Sequence, residues 1–482
     1  MDTISTTCDF INTLPNELLE QIFHEVTDFS IPPPSITKFK DEPSSKLTHN
    51  EEKSIKSMAS VCPRWRALLL NEVFKYARVS LDCQPRWLGL SAALGSYLRS
   101  LHNISPRLTE LLEQIQARQS AGFNILRQGW SLLDLQYMED DGDDAMLLPQ
   151  KYHFWVPSSR GNVMEFLAFI TRNQLQCKIQ SLVVYTEQSI SSPRQFLGRV
   201  EHSDRGSTEE TAIIRELSTL WRVIFQDVDL SRITIAAPPS TMAFLASSAE
   251  DSSDTWAFDM PMHYLSFSRE LTEILPAPST TKQANFKESG GYIYGMRPWT
   301  SISYNEGCMI SGYAHYEWQW KKPPRIFYHL LRWVAKNENQ TRLSRSPILR
   351  DITYISLFPY AGHVELIMQT MAELHALRHL AIKFANPDLL DNPERLGKGQ
   401  RDDIWGAWEE CHGYIYRWLL NRNSKVGTEF VSIDARLETQ KETITKALPL
   451  HQTVAGRQIS VLRKEEEPTR WIRVLDPNFP SV

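Results

Sequence analysis

Long apolar runs are missing from this chain. No stretch of about 18 apolar residues occurs, so no membrane-spanning helix is expected. The leading residues, MDTISTTCDF, lack the basic and apolar regions of a secretory signal. Cysteine is sparse. Cys8, Cys62, Cys83, Cys177, Cys308 and Cys411 are scattered without a C-x-x-C pair, which argues for a reducing compartment over a disulfide scaffold. Charge of one sign is not in excess. The net charge of −5 is too mild to argue for nucleic acid or an anionic membrane as a partner. A cytoplasmic or nuclear protein is the expectation.

Catalytic signatures are missing too. There is no G-x-x-x-x-G-K-[ST], no H-E-x-x-H and no G-x-S-x-G. Ser289-Gly290-Gly291-Tyr292 has no helix after it to make a nucleotide loop. The acidic run Glu139 to Asp144 has Tyr137 where a calcium loop needs Asp. Cys411-His412 is one pair and cannot complete a zinc site. His202, Ser203 and Asp204 are neighbours in a polar stretch, but a triad is defined by geometry and not by adjacency. No cofactor, no metal and no enzyme activity of the chain's own are expected.

What is present is an ordinary globular composition, 42% hydrophobic and 23% charged, over 482 residues. That length suggests about three units. Near the start, TLPNELLEQIFHEV places Leu14, Leu18, Ile22 and Val26 every fourth residue, flanked by Leu19 and Phe23. This spacing predicts a short amphipathic helix, with Pro15 at its first position and Glu17 and Glu20 near the positive end of its dipole. From Ser54 to Tyr76, Ile55, Met58, Val61 and Cys62 form a second apolar stripe. Pro63 ends that helix and begins a third, whose apolar side carries Trp65, Leu68, Leu69 and Phe74. Three such helices bury their stripes only against each other and a partner.

Leu14-Pro15-x-Glu17-Leu18-Leu19-x-x-Ile22-Phe23, followed by Val61-Cys62-x-x-Trp65-x-x-Leu68, resembles an F-box. The resemblance covers about a seventh of the chain and rests on the order of the motif. It implies a Skp-type adaptor and a cullin as partners, with Leu14, Pro15, Leu18, Leu19, Ile22, Phe23, Met58, Val61, Cys62, Trp65 and Leu68 as the adaptor-binding module. Within it, Leu14 and Pro15 are expected at the partner-facing edge and Trp65 in internal packing. The two halves are separated by residues 28–53, longer than the family's usual connection. Their prolines, serines and charges predict a loop extruded from the motif.

Beyond a helical connector over residues 81–150, strand-like and helix-like stretches alternate. Strands are expected at Tyr76–Leu81, Ile179–Tyr185, Ile233–Ala236, His263–Phe267, Ile352–Phe358, Leu377–Phe384 and Phe430–Asp434. Helices are expected between them, at Thr211–Phe225, Thr241–Ser247, Pro324–Lys336, His363–Leu374 and Ile404–Leu420, with a polar one at Leu437–Leu448. Two further helices are expected in the connector, at Arg86–Asn103 and Leu108–Gln119. The alternation predicts an α/β fold with a mostly parallel sheet and helices packed outside. Leu377-x-x-Leu380-x-Ile382 is the closest approach to a leucine-rich-repeat strand. The chain is thus similar to fungal-type F-box proteins: a three-helix F-box over residues 10–80, then an irregular leucine-rich-repeat-like α/β solenoid with insertions over residues 151–482. A closed barrel or a doubly wound sheet also fits the uneven period.

Two regions break the rhythm. From Ser289 to Lys322 the aromatic alternation of Tyr316, Trp318 and Trp320 with polar residues predicts an inserted hairpin or an elaborated loop pair. With Tyr313, these aromatics are core candidates and, alternatively, a substrate-binding patch. Gln458–Arg463 and Arg470–Leu475 predict a terminal hairpin capping the sheet. The resemblance implies a substrate-recognition subunit of an SCF-type ubiquitin ligase holding an unknown protein substrate. The alternative is a scaffold that uses the F-box-like helices outside any ligase.

Overall fold

Short apolar strands with long amphipathic helices between them bury their apolar faces together, as a sheet with helices packed on it. The computed structural model describes residues 11, 13–26, 34–48, 53–85, 155–158, 161–189, 219–246, 248, 254–269, 293–340, 349–385, 398–420, 428–434, 452–454, 457–463 and 470–475. The expected helices at 86–103, 108–119 and 437–448 and the acidic run 139–144 lie outside the described residues.

Three helices of seven or more residues come first, α1 (Asn16–Val26), α2 (Lys53–Ala59) and α3 (Pro63–Phe74), with a four-residue helical turn, Pro34–Thr37, between the first two. They share a small core of Leu19, Phe23, Ala59 and Leu69, with Leu14, Met58, Trp65, Leu68 and Val73 packed around it. Helix α3 runs straight into the sheet through β1 (Tyr76–Ser80).

The remaining strands are β2 (Asp82–Pro85), β3 (Trp155–Ser158), β4 (Ser181–Tyr185), β5 (Arg232–Ala237), β6 (His263–Ser268), β7 (Ser301–Cys308), β8 (Asp351–Leu357), β9 (His379–Lys383), β10 (Glu429–Ser432), β11 (Gln452–Val454), β12 (Arg457–Arg463) and β13 (Arg470–Leu475). Eleven of them form one sheet in the order β1-β4-β5-β6-β7-β8-β9-β10-β13-β12-β11, while β2 and β3 pair separately. Among the described residues the sheet is open, with edges at β1 and β11, and does not close into a barrel. From β4 to β10 each strand lies beside the next in sequence. The pairs β1–β4, β4–β5, β7–β8, β8–β9 and β9–β10 are parallel, and β6 is antiparallel to both neighbours. The cause of the reversal is the connection before β6. After α5 (Pro239–Leu245) the chain crosses beneath the sheet, burying Ala257, Phe258, Met260 and Met262 there, and so enters β6 from the opposite end. The terminal strands β12 and β13 form the expected hairpin, which extends the sheet from β10.

Alternation along each strand sorts side chains to two faces. Leu182, Ile235, Phe267, Tyr304, Tyr354 and Ile382 lie on the face covered by α4 (Asn162–Arg172), the helical residues 219–227, α5, α6 (Ile326–Gln340), α7 (Ala361–Met371) and α8 (Lys398–Leu420). Val183, Ala236, Tyr264, Ile355 and Leu357 lie on the other face. Among the described residues most helices lie on one side, unlike a doubly wound sheet.

Two expectations are corrected. The region Ser289–Lys322 is not an inserted hairpin. Its residues 301–308 are a central strand, β7, and its aromatic end folds as two 3-10 turns, Ile310–Ala314 and Trp318–Trp320. Nor do all of residues 28–53 project as a loop. Residues 34–48 lie on the second face, with Phe39 and Leu47 buried there. Within the segment Asp41 N–H donates to the Lys38 carbonyl and Leu47 N–H to the Ser44 carbonyl, and side chains from distant strands supply further hydrogen bonds.

Candidate docking surface and the second face of the sheet

Helix α1 has more apolar residues than its neighbours can cover. Leu19 and Phe23 point inward, and Phe23 meets the indole of Trp65 edge-on at 4.9 Å. Leu18 and Ile22 are left 45% and 44% exposed and Val26 is exposed. With Leu14, Gln21 and Glu25 they line an open apolar groove along the helix. Such a row, one residue in four on one face, is how an amphipathic helix presents anchors to a partner.

The motif residues therefore divide. Leu14, Pro15, Leu18, Ile22 and Val61 reach the surface or its edge. Leu19, Phe23, Met58, Trp65 and Leu68 hold the three helices together. Cys62 caps α3, its sulfur accepting the backbone N–H of Trp65 at 3.4 Å, and Pro63 begins the helix. Two arginines that sequence reasoning passed over tie the unit. Arg64 donates to Asn16 Oδ1 at 2.7 and 2.9 Å and to the Leu14 carbonyl at 2.5 Å, and Arg66 donates to the Ala59 carbonyl at 3.2 Å. Their position beside Trp65 in a helix start carries no sequence signal for this.

The four aromatic candidates also divide. Tyr313 is buried, its hydroxyl donating to the Pro359 carbonyl at 3.0 Å, and Trp318 packs on it at 4.7 Å. Tyr316 is fully exposed and Trp320 is 79% exposed. Trp256, absent from the sequence candidates, is exposed near them, with Lys321 Nζ 4.8 Å above its ring.

A buried polar cluster joins β7, β8 and α7. Glu306 accepts from the hydroxyl of Tyr354 and from Nε2 of His363, the latter at 3.2 Å. A carboxylate only accepts, so Nε2 of His363 carries the proton. Burial pushes the Glu306 carboxyl upward, but His363 and the two hydrogen bonds outweigh it and hold the group below its usual range. Next to it, burial lowers His263 to about 4 while its Nδ1 meets the Tyr304 hydroxyl at 2.6 Å. Nε2 of His263 and Nδ1 of His363 find no partner among the described residues. Glu306 and His363 are each 1% exposed in their side chains. The cluster lies in the packed layer between sheet and helix, and what it does there is supply a buried carboxylate with hydrogen bonds.

Among the described residues no group of three or more His, Cys, Asp or Glu side chains is placed to hold a metal ion. No described helix is long and apolar enough to cross a membrane. No family model, curated protein or solved structure matches the chain.

Proposed function

We propose that this chain is the substrate receptor of an SCF-type ubiquitin ligase. On this reading α1 to α3 are the F-box that docks on a Skp-type adaptor, and the adaptor brings the cullin. The sheet domain is an irregular solenoid of leucine-rich-repeat type that holds a protein substrate. The sequential strand order from β4 to β10 supports that reading of the sheet. The role is positional: it raises the concentration of a substrate beside a charged conjugating enzyme and needs no chemistry of its own. Neither nucleic acid nor membrane is part of it, and it belongs in the cytoplasm or nucleus.

One observation carries the reading. The helix bearing the motif buries Leu19 and Phe23 and leaves the row Leu14, Leu18, Ile22 and Val26 lining an open groove. The alternative, a scaffold outside any ligase, required residues 28–53 to obstruct assembly. None of the groove-lining residues comes from 34–48, which lies on the sheet instead. The test is co-purification with a Skp-type adaptor and cullin. Failure of the wild-type chain to bind adaptor at micromolar concentration would sink the receptor reading. Adaptor binding without cullin recruitment would select the scaffold.

A further inference from the structure

Residues 34–48 form a strap across the second face of the sheet. Ser35, Phe39, Pro43 and Leu47, each four residues on from the last, are buried. Lys40, Asp41, Glu42 and Lys46 between them are exposed. The sheet residues that hold the strap stand in a single transverse row, because Tyr264 of β6 is in register with Asn305 of β7, Ile355 of β8 and Lys383 of β9.

The contacts are of one kind. Asn305 Nδ2 donates to the carbonyls of Phe39 and Asp41 at 2.7 and 2.8 Å. Its Oδ1 accepts the Gly307 N–H at 3.0 Å, which turns the amide so that its NH2 faces the strap. The Tyr264 hydroxyl accepts the Ser44 N–H at 2.6 Å and donates to the Ser44 carbonyl. Lys383 Nζ donates to the Lys40 carbonyl at 2.8 Å. Gly307, at φ +83, leaves room for the Pro43 ring, whose Cδ lies 3.4 Å from where a side chain would begin. The sheet thus holds backbone groups of the strap, and it selects side chains only through Phe39, Pro43 and Leu47. The strap is turned rather than extended, with a helical turn at Pro34–Thr37 and a 3-10 turn at Ser45–Thr48, so the sheet holds a compact peptide by its backbone groups and by spaced apolar anchors.

We propose that this row of the sheet is a peptide-binding site and that residues 39–47, FKDEPSSKL, are its built-in occupant. The external ligand is a segment of the protein substrate that takes the same turned path, with an aromatic residue, a proline four positions later and an aliphatic residue four beyond that. The proposal rests on the receptor reading for the identity of that ligand, but not for the site. Tethering at both ends gives the strap an effective concentration on the order of millimolar. A free peptide of the same sequence therefore competes poorly with the intact strap.

The test uses the full chain and a fluorescent FKDEPSSKL peptide read by anisotropy. The intact chain is expected to bind it at least 100-fold more weakly than a Phe39→Ser/Leu47→Ser variant that frees the site. Adding Asn305→Ala to that variant is expected to cost at least a further tenfold. A folded double variant that binds no peptide overturns the proposal. Amide exchange on the wild-type chain decides independently of any variant. Strap amides exchanging at least 100-fold faster than those of residues 302–304 support a displaceable occupant. Strap and β7 exchanging together, in one opening, make the strap ordinary core and overturn it. Adaptor binding is measured on the same samples. Peptide binding lost with docking intact sinks the strap site alone, and docking absent with peptide binding intact sinks the ligase reading alone.

Discussion

Truncating Leu18 and Ile22 together to alanine separates docking from folding. Both side chains are a little under half exposed, at 45% and 44%. Full burial of such a side chain stabilises by about 1.5–3 kcal/mol. Covering the exposed remainder at an interface contributes about 0.7–1.3 kcal/mol for each. Alanine keeps the Cβ, so the double variant should lose about 1–2 kcal/mol of docking energy, or roughly 5- to 30-fold in Kd. The fold should barely notice. The side chains are on the outer row, and alanine is the best helix former, so denaturant stability should stay within about 1 kcal/mol. Phe23→Ala is the opposite case. Its ring is 2% exposed and packed on Trp65, and emptying such a site costs about 3–5 kcal/mol. Calorimetric titration with a Skp-type adaptor and urea unfolding of the three chains give the numbers. An unchanged Kd for a folded Leu18→Ala/Ile22→Ala chain would refute the assignment of the groove. Undiminished stability of Phe23→Ala would refute the orientation of α1.

Glu306→Leu should strand the Tyr354 hydroxyl and the His363 ring N–H; at roughly 1–3 kcal/mol per stranded group, the urea midpoint should fall by about 2–6 kcal/mol equivalent, and an unchanged midpoint contradicts the cluster. Burial raises Asp434 to about 7, although it accepts the Phe384 N–H at 2.7 Å. The folded state then binds the extra proton, so this group's contribution is full below pH 4 and is lost as pH rises toward 7; Asp434→Asn should remove that slope from a stability–pH curve. Burial lowers His263 and His412 to about 4, so unfolding takes up protons there and stability falls as pH drops from 6.5 toward 4; His412→Phe should flatten that limb, and an unaltered limb argues against it. Gly312→Ala places a methyl 2.6 Å from Phe258 and against the Tyr360 hydroxyl. Overpacking of this kind costs about 1–3 kcal/mol, measurable as a lowered melting temperature.

The strands that read clearly in the sequence are those that are short β-branched and apolar runs, such as SLVVY in β4 and RITIAA in β5. Strand β7, SISYNEGC, did not read as a strand although it lies at the centre of the sheet. Its Asn305 is satisfied by carbonyls more than 260 positions away, and its Glu306 by His363, 57 positions away. Local pattern carries no trace of such partners, so two buried polar residues look like a loop. The alternation in Tyr316, Trp318 and Trp320 misled for the converse reason. Only Trp318 packs, and the spacing comes from a 3-10 turn. On α1 the periodicity identified an amphipathic helix but not which row faces inward. Leu14, Leu18, Ile22 and Val26 form the longer apolar row, yet Leu19 and Phe23 are the ones opposite Trp65.

A receptor whose proposed role is positional gains from a fixed distance between its docking end and its cargo face, because loose coupling dilutes the effective concentration it exists to raise. Among the described residues the fold supplies that stiffness where α3 meets β1. Helix α3 passes into β1 with no intervening loop, and Phe74 at its end packs at 5.0 Å on Phe169 of α4. The strap leaves the same three-helix unit between α1 and α2 and is pinned to three other strands through Tyr264, Asn305 and Lys383. The attachment at β1 is at the sheet's edge and the strap is at its middle. A strap displaced by cargo therefore leaves the junction of α3 with β1 in place, because residues 34–48 take no part in it.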